Sequence, residues 1–313
     1  MELFNPNSNI DFLGMRKVSL VISAVLVLAS IVLVGTRGLN YALDFTGGVL
    51  IEAQYAQPVA IDQVRAALEE GGFHNAQVQS LGGTRDVSIR LQVEGEEKGA
   101  GDKIATNVMG ALSAKRGDVT MKRHDFVGSS VGDELKSDGI VAAVFVMLGI
   151  MIYIGIRFEK RFAIAAIASE FHDAILTVGF FAATQLEFDL TVLASLLAVI
   201  GYSINDKVVV FDRVRELFRL TRKADTYDIL NKSINQTLSR TIMTSLTTAL
   251  AMFALFFFGG PSVHGFALTM LVGIVIGTLS SIFFANPILL WLKVSKTDLM
   301  PVTKENPELA RRP

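Results

Sequence analysis

Residues 190–211 read LTVLASLLAVIGYSINDKVVVF, a run that is apolar except near its end. It is long enough to cross a bilayer, whose hydrocarbon core requires about 20 apolar residues of α-helix. Asp206 lies inside this run, and an acid at the centre of a membrane helix costs about 2.5–3.5 kcal/mol on an insertion scale. The stretch therefore predicts a membrane-spanning helix, and an acid retained there at that cost predicts a functional site.

Five further apolar runs reach spanning length, so the sequence predicts an α-helical polytopic membrane protein with six transmembrane helices. The mean hydropathy of +0.46 agrees with this class. The predicted spans are residues 18–34, 139–156, 162–184, 190–211, 241–258 and 265–292. The first run is expected to stay attached as a span, because no A-x-A cleavage pattern follows it.

Basic residues indicate the orientation of these spans. They cluster in the N-terminal tail, between spans two and three, between spans four and five, and in the C-terminal tail, whereas the short turns 185–189 and 259–264 contain no Lys or Arg. Because short cytoplasmic loops are enriched in Lys and Arg, both termini are predicted to be cytoplasmic. The predicted order is a cytoplasmic tail (1–17), transmembrane helix 1 (18–35), an extracytoplasmic domain (36–138), transmembrane helices 2–6 (139–292) and a cytoplasmic tail (293–313).

The extracytoplasmic segment is predicted to be an α+β domain with the element order βαββαβ. LDFTGGVLIEAQY predicts a strand, and AIDQVRAALEEGG has helical spacing that ends at glycine. AQVQSLGG and RDVSIRLQV predict a hairpin around 82–83, GDKIATNVMGALSAKRG a second helix, and DVTMKRHDFVG a last strand. This order matches the split βαβ, ferredoxin-like pattern.

Composition and motifs argue against an enzyme or a metalloprotein. The chain has no cysteine and four scattered histidines, so no disulfide, thiolate site or metal cluster is predicted, and no cofactor is expected. No Ser-His-Asp set, phosphate loop, GxGxxG or HExxH motif is visible.

Polar side chains inside spans three to five form the candidate site. Glu170 and Asp173 are three residues apart, so they are expected to share a helix face, whereas His172 is expected to point elsewhere. Ser169 and Thr177 lie on the same face as the two acids. Two interpretations stay open for the acids: a part in a proton path, or helix packing through hydroxyl or amide partners.

Asp206 in span four has Tyr202 one turn away and Asn205 beside it. Arg240, at the start of span five, is the cation expected to reach Asp206 from another helix. The alternative for Arg240 is that its side chain extends to the lipid headgroups. Lys207 is expected to extend in this way. A face of small residues on span four suits close helix contact and consists of Ala194, Ala198, Gly201 and Asn205.

Several motifs together resemble the SecF family, the membrane subunits that work with SecD beside the bacterial protein-translocation channel. The first is LDFTGG, formed by Leu43, Asp44, Phe45, Thr46, Gly47 and Gly48. The others are EFHD at 170–173, GYSINDKVVVFDRVRE at 201–216, QTLSRTIMTS at 236–245, FGGPSVHGFALTMLVGIVIGT at 258–278 and SS at 280–281. Together they cover nearly the whole chain.

This resemblance implies a function and partners. SecF belongs to the resistance-nodulation-division superfamily, in which two six-span halves form one bundle, so a SecD-like protein would supply the other half. The pair would use the proton motive force to promote late preprotein translocation, beside a SecYEG-type channel in the bacterial inner membrane. Asp206 and Arg240 match the residues that this family ties to proton conduction. Contacts are expected with the preprotein and with lipid, and none with nucleic acid.

Two other functions remain open at this level. One is a stand-alone proton-coupled exporter of the resistance-nodulation-division type, although six spans form only half of the bundle that such exporters use. The other is a scaffold subunit without energy coupling, in which the buried charges only hold helices together.

Overall fold

The computed structural model describes residues 9–81, 83–92, 100–221 and 225–299. The chain divides into two compact units. The first, which we call the helix bundle, comprises Met1–Leu39, Phe145–Leu186 and Thr191–Pro313. The second, which we call the α/β unit, comprises Asn40–Val144 and Glu187–Leu190. The predicted turn residue 82 and the basic tail residues Lys304, Arg311 and Arg312 lie outside the described residues.

Ten α-helices and six strands follow one another in the described residues. In chain order these are α1 (Arg16–Arg37), β1 (Asn40–Tyr41), α2 (Leu43–Thr46), β2 (Gly48–Tyr55), α3 (Ile61–Glu70), β3 (Gln77–Ser80), β4 (Asp86–Leu91), α4 (Ala100–Lys115), β5 (Val119–Val127), α5 (Ser129–Arg157), α6 (Lys160–Thr184), β6 (Glu187–Phe188), α7 (Leu190–Leu220), α8 (Thr226–Phe258), α9 (Pro261–Ser280) and α10 (Asn286–Trp291). A 3-10 turn, Leu13–Met15, precedes α1, a π-helical segment, Ser281–Ala285, joins α9 to α10, and a 3-10 turn, Lys296–Leu299, follows α10.

Six helices in the described part of the chain are long and apolar enough to cross a membrane, as the hydropathy pattern predicts. They are α1, α5, α6, α7, α8 and the helix formed by α9, the π-helical segment and α10. Three of them extend well beyond their predicted apolar spans, because α5 begins at Ser129, α7 continues to Leu220 and α8 begins at Thr226.

The last span differs from the uninterrupted helix expected over 265–292, because residues Ser281–Ala285 form a π-helical segment. Pro287 follows at the start of α10 and has no backbone N–H to donate to the carbonyl four residues earlier. A wider turn just before the proline accommodates that missing hydrogen bond. Such π-helical turns inside α-helices are frequent at functional sites.

The distribution of polarity in the helix bundle is that of a membrane protein. Large apolar side chains are exposed, including Phe145 at 70%, Ile156 at 83% and Phe258 at 88% of their surface. Charged side chains such as Glu170, Asp173 and Lys207 are instead buried. Since lipid solvates apolar side chains and does not solvate charge, this inverted arrangement is stable in a bilayer.

Small residues allow helices of the bundle to approach one another closely. A Cβ atom on Gly179 of α6 would lie 2.1 Å from the hydroxyl oxygen of Ser30 in α1. A Cβ atom on Gly273 of α9 would lie 2.3 Å from a methyl carbon of Val199 in α7, and one on Gly277 would lie 2.6 Å from Ser203 Oγ. These close contacts set the positions of α6, α7 and α9.

The α/β unit contains a four-stranded antiparallel sheet with the strand order β3-β4-β2-β5. Alternate residues of β2, from Val49 to Tyr55, are buried on one face, as the period of two in the sequence predicts. Leu68 of α3 and Val108 of α4 join the same hydrophobic core. From β2 onwards the elements follow the order β2-α3-β3-β4-α4-β5.

Two local features of this unit differ from the sequence-based expectation. The strand expected over LDFTGGVLIEAQY begins only at Gly48, and the preceding residues Leu43–Thr46 form the short helix α2. β1 and β6 also form a two-residue parallel ladder that joins segments far apart in the chain. A ladder of two residues leaves no periodic pattern in the sequence, so it could not be predicted.

Candidate functional site

Lys207 is the centre of a buried polar cluster in the helix bundle. Its side chain is fully buried, and Nζ donates to Glu170 Oε1 at 2.6 Å, to Asp173 Oδ2 at 2.7 Å and to Ser203 Oγ at 3.0 Å. The expectation that Lys207 extends to the headgroups is therefore wrong. Two carboxylates on α6 and a hydroxyl one turn away on α7 use all three N–H donors of the ammonium group, and this compensates for its burial.

Asp173 accepts hydrogen bonds on both of its oxygens. Oδ1 accepts from His172 Nδ1 at 2.8 Å, and Oδ2 accepts from Ser203 Oγ at 2.6 Å and Ser280 Oγ at 2.7 Å in addition to Lys207. These four donors together use both oxygens of the carboxylate. The expectation that His172 points away from the acids is wrong, because its Nδ1 contacts Asp173, the next residue of α6.

Glu170 has fewer hydrogen-bond donors around it than Asp173, although it is also fully buried. Oε1 accepts from Lys207, whereas Oε2 has no hydrogen-bond partner among the described residues. Glu170 and Asp173 do share one side of α6, as their spacing predicts, and both contact Lys207. Thr177 is buried on the same helix and donates to the backbone carbonyl of Asp173.

The cluster also contacts the last span. Ser280 ends α9, and Phe284 in the π-helical segment stacks on His172 with ring centroids 4.1 Å apart. His172, Ser280 and Phe284 line an apolar cavity of about 340 Å³ together with residues of α1, of the turn before it, of α6 and of α9. The end of α9 therefore places a hydroxyl group, and the π-helical segment an aromatic ring, against the ionic cluster.

Asp206 has few partners. Its side chain is 3% exposed, Oδ1 accepts from Thr244 Oγ1 at the long distance of 3.5 Å, and Oδ2 has no partner within the described ranges. Arg240 is close enough to interact electrostatically with Asp206, but its side chain is exposed and the ion pairs of the described residues do not include these two. The structure thus brings Arg240 near Asp206 without pairing them.

The remaining predicted residues of α7 lie around Asp206. Tyr202 is partly buried, and its hydroxyl group has no partner among the described atoms. Asn205 is exposed, and so is the rest of the face of small residues predicted from the sequence, which consists of Ala194, Ala198 and Gly201. A Cβ atom on Gly201 would meet nothing within 4 Å. This face therefore contacts no other described helix of the chain at Gly201.

The LDFTGG motif lies in the α/β unit and has a clear structural role there. Leu43 and Phe45 are buried, and Thr46 Oγ1 donates to the carbonyl of Ala42. Asp44 Oδ2 accepts from the backbone N–H of Leu190, the first residue of α7, at 3.1 Å. A carboxylate at this position satisfies an otherwise unpaired helix N–H.

The two glycines of the motif are required by conformation and space. Gly47 and Gly48 have φ values of +66° and +120°. A Cβ atom on Gly47 would lie 2.8 Å from Ser129 Cα, and one on Gly48 would lie 2.2 Å from the carbonyl oxygen of Leu91. Only glycine fits both positions, which explains this part of the motif without any direct role in chemistry.

Sequence reasoning missed the partners of the two acids on α6. Lys207, Ser203, His172 and Ser280 belong to the same cluster as Glu170 and Asp173. One signal was available, because Ser203 and Lys207 are four residues apart and share a face of α7 that differs from the face of small residues. The cluster and Asp206 together offer carboxylates and an imidazole in an apolar environment, which is the chemistry of proton binding.

Family models match most of the chain. The model described as "Protein export membrane protein SecD/SecF, C-terminal" matches residues 108–295, and the model described as "SecD/SecF GG Motif" matches residues 32–59. The second match contains the LDFTGG motif. The first contains Glu170, Asp173, Asp206 and Arg240.

Curated relatives match nearly the full length. The chain is 45% identical to protein translocase subunit SecF of Pseudomonas aeruginosa, over 93% of this chain and 94% of the relative. It is 42% identical to SecF of Vibrio alginolyticus, over 100% of this chain and 99% of the relative. It is 41% identical to SecF of Escherichia coli O157:H7, over 89% of this chain and 86% of the relative.

Solved structures of SecDF have a similar fold. A crystal structure of SecDF from Thermus thermophilus, described as a translocon-associated membrane protein, matches 93% of this chain with a TM-score of 0.83 and 32% identity. A second structure, of SecDF in a "super-membrane-facing form", matches 92% with a TM-score of 0.68 and 33% identity. The chain spans 40% and 39% of the length of these two proteins.

Proposed function

Because this chain belongs to the SecF family of protein translocase subunits, we propose that it uses the proton motive force to promote late preprotein translocation across the inner membrane. Membership makes it a multi-pass membrane component of Sec transport rather than a member of an enzyme family. The observation that carries the proposal is the environment of Asp206. It is a buried acid in a membrane helix, with one oxygen at 3.5 Å from a hydroxyl and the other without a described partner.

This environment suits an acid that changes its protonation state. An ionised carboxylate buried in an apolar bundle needs several donors or a cation. The only described hydrogen-bond donors to Asp206 are the hydroxyl groups of Thr244, at 3.5 Å, and Ser245, and it has no ion pair within the described residues. In our proposal, Asp206 takes up a proton from the outer side, and the loss of charge weakens its interaction with Arg240. Release of the proton to the cytoplasm restores that interaction. Moving one elementary charge through the field supplies about 2.3 kcal/mol per 100 mV, enough to shift a conformational equilibrium.

Tyr202 and Asn205 have supporting roles in this proposal. The Tyr202 hydroxyl is one turn from Asp206 and has no described partner, so it is available to pass or accept a hydrogen bond during proton transfer. Asn205 is exposed next to Asp206 on the face of small residues. Glu170 and Asp173 hold α6 and α7 together through Lys207, and this supports a packing role for Asp173 in particular.

A SecD-like subunit is the proposed partner. The chain covers 40% of the solved SecDF chain, which leaves the larger part of that protein without a counterpart here. The face of small residues on α7 is exposed in this chain and is suited to close contact with a helix of a second subunit. A SecYEG-type channel is a second proposed partner, because the solved relative is described as translocon-associated. The translocating preprotein is the proposed substrate.

The α/β unit is proposed to be a periplasmic, ferredoxin-like domain that contacts the emerging polypeptide. The element order β2-α3-β3-β4-α4-β5 and the strand order β3-β4-β2-β5 support the ferredoxin-like assignment. The distribution of Lys and Arg supports its location, with the domain at 36–138, both tails (1–17 and 293–313) in the cytoplasm and the spans within 18–35 and 139–292 in contact with lipid.

The decisive experiment measures preprotein secretion in cells that carry Asp206→Asn as their only copy, with and without a proton-gradient uncoupler. We expect normal membrane levels, normal binding to the partner and loss of the gradient-dependent part of secretion. Asp212→Asn is the matched control, because Asp212 lies on the same helix in an exposed ion pair with Arg157 and should behave like the unmodified protein.

The other outcomes identify the competing functions. Gradient-dependent secretion that persists in Asp206→Asn would contradict proton coupling through this residue and would favour a scaffold subunit. Proton-coupled export by this chain alone in vesicles, without a second subunit, would favour a stand-alone exporter.

A further inference from the structure

The polar cluster around Lys207 has an unbalanced formal charge. Lys207 contributes one positive charge, whereas Glu170 and Asp173 contribute two negative charges when both are ionised. All three side chains are fully buried. With a neutral His172 the sum is +1 − 2 = −1, and a net charge inside a membrane bundle is strongly unfavourable.

We propose that the cluster of Glu170, His172, Asp173 and Lys207 is a second proton-binding site, separate from Asp206, that holds one exchangeable proton. This proton makes the cluster electrically neutral. It resides on Glu170 Oε2 in the arrangement seen here, and His172 Nε2 is the alternative position. The inference goes beyond the proposed function and does not depend on coupling through Asp206.

The hydrogen bonds decide which acid carries the proton. Asp173 receives four donors, so protonating it would leave at least one of these donors without an acceptor. Glu170 receives one donor, on Oε1, and its Oε2 has no described partner. A proton on Oε2 therefore disrupts no observed hydrogen bond and removes the excess charge.

His172 provides the second position. Its Nδ1 donates to Asp173 Oδ1, so Nε2 is the atom that gains a proton when the ring becomes cationic. Nε2 is buried without a described partner, and the ring is only 6% exposed. The cluster therefore has two electrically neutral states. In one, Glu170 carries the proton and His172 is neutral; in the other, Glu170 is ionised and His172 is cationic.

Apart from Asp206, whose own proton belongs to the proposed function, the described side chains around the cluster are uncharged. Besides the four members, Asp206 is adjacent to Lys207 on α7 and interacts with it electrostatically. The residues that face the cluster from the last span, Ser280 and Phe284, are uncharged. The cavity beside His172 is also lined by Met15 of the turn before α1 and by the α1 residues Val18, Ser19, Ile22, Ser23 and Leu26, all of which are uncharged.

Infrared spectroscopy of the full chain, purified with its co-purifying partner and reconstituted in lipid vesicles, tests the proposal. The carbonyl stretch of a protonated carboxylic acid is distinct from that of a carboxylate. Isotope labelling of the glutamate side-chain carboxyl carbon shifts the band if it belongs to glutamate and leaves an aspartic acid band in place. At neutral pH we expect one protonated glutamate band, because glutamates exposed to water are ionised.

Two variants then assign the band, and neither readout depends on secretion. Glu170→Gln should abolish the glutamate band, whereas the control Asp206→Asn should retain it. If the unmodified protein lacks the band but His172→Asn shows it, the proton resides on His172, and the cluster still binds it. Nitrogen NMR of labelled histidine in the unmodified protein checks this directly, since the chain has only four histidines.

The proposal is overturned if the unmodified protein shows neither a protonated glutamate nor a cationic buried histidine at neutral pH. It is also overturned if the glutamate band persists in Glu170→Gln, because the proton would then belong to another residue. The labelled unmodified protein gives a result even if a variant does not fold. Loss of coupling in Asp206→Asn with an unchanged glutamate band would separate this site from the proposed function.

Discussion

Asp173 and Asp206 are the same residue type on neighbouring membrane helices, yet their environments differ. Asp173 accepts from Lys207, His172 and two serines, whereas Asp206 accepts from one hydroxyl at 3.5 Å and leaves an oxygen without a described partner. Burial is nearly the same, at 0% and 3% exposure. The difference therefore comes from their partners, which for Asp173 include the ammonium group of Lys207, and it supports the proposal that Asp206 is the acid that changes its protonation state.

This comparison shows how buried acids in a membrane bundle can be sorted. A carboxylate whose lone pairs are all used is stabilised in one state and contributes to packing. For a buried carboxylate with unused lone pairs, the ionised form is stabilised less, so the difference in free energy between the ionised and the protonated form is smaller. Glu170 resembles Asp206 in this respect, although it contacts the same lysine as Asp173.

The largest change in the free energy of unfolding is expected when Lys207, the cation of the buried polar cluster, is replaced. Lys207→Met leaves two buried acids without their counter-ion, and the loss of one partner from a buried ion pair costs about 3–5 kcal/mol. The free energy of unfolding in detergent measures this cost. Lys232→Met on α8 is the control, because Lys232 is exposed. Equal stability of the two variants would contradict a structural role for the cluster.

The next largest change in the free energy of unfolding is expected for Asp173→Asn, which is compared with Asp206→Asn. Asp173→Asn weakens hydrogen bonds to charged groups, so we expect it to lower the free energy of unfolding by about 1.5–3 kcal/mol. Asp206→Asn should change stability by less than about 1 kcal/mol, because it breaks no close hydrogen bond and removes a buried ionisable group. Thermal denaturation of the two variants side by side checks the order. The reverse order would remove the distinction drawn between these residues.

A smaller change in the free energy of unfolding is expected when one of the two serines that donate to Asp173 is replaced. Ser280→Ala removes one of four donors, and a typical hydrogen bond contributes about 0.5–1.5 kcal/mol. The control is Ser281→Ala, because the Ser281 hydroxyl donates to the backbone of its own helix turn at Thr278. We expect a lower denaturation midpoint for the first variant than for the second, and no difference would mean that the Ser280 bond adds nothing to stability.

The smallest change in the free energy of unfolding is expected at Thr244, whose hydroxyl group makes a long contact with Asp206. Thr244→Val removes a contact at 3.5 Å, and the Thr244 hydroxyl also bonds to backbone carbonyls of α8 at 3.0 Å. The change in the free energy of unfolding should stay within about 0.5 kcal/mol. A loss as large as that of Ser280→Ala would show that Asp206 is firmly held and would weaken the case for its protonation.

The amino-acid sequence by itself determined the general architecture. Six apolar runs predicted six spanning helices, since hydropathy is a property of consecutive residues and needs no knowledge of packing. The periods of 2 and 3.6 predicted the element order of the α/β unit for the same reason, as each element is defined by its own neighbours. Asp206, Glu170 and Asp173 stood out because charge inside an apolar run is visible in the sequence.

Only the tertiary structure decided which of these residues meet. Lys207 was expected at the headgroups and His172 away from the acids, yet both join Asp173, together with Ser280 from the last span. Those contacts depend on how far each helix is rotated and how closely it approaches, and Gly273 and Gly277 set this for α9 against α7. The π-helical segment and the short helix of LDFT were likewise not predicted, because a single turn leaves no periodic pattern in the sequence. Contacts between residues distant in sequence follow from packing of the whole bundle, so no local pattern encodes them.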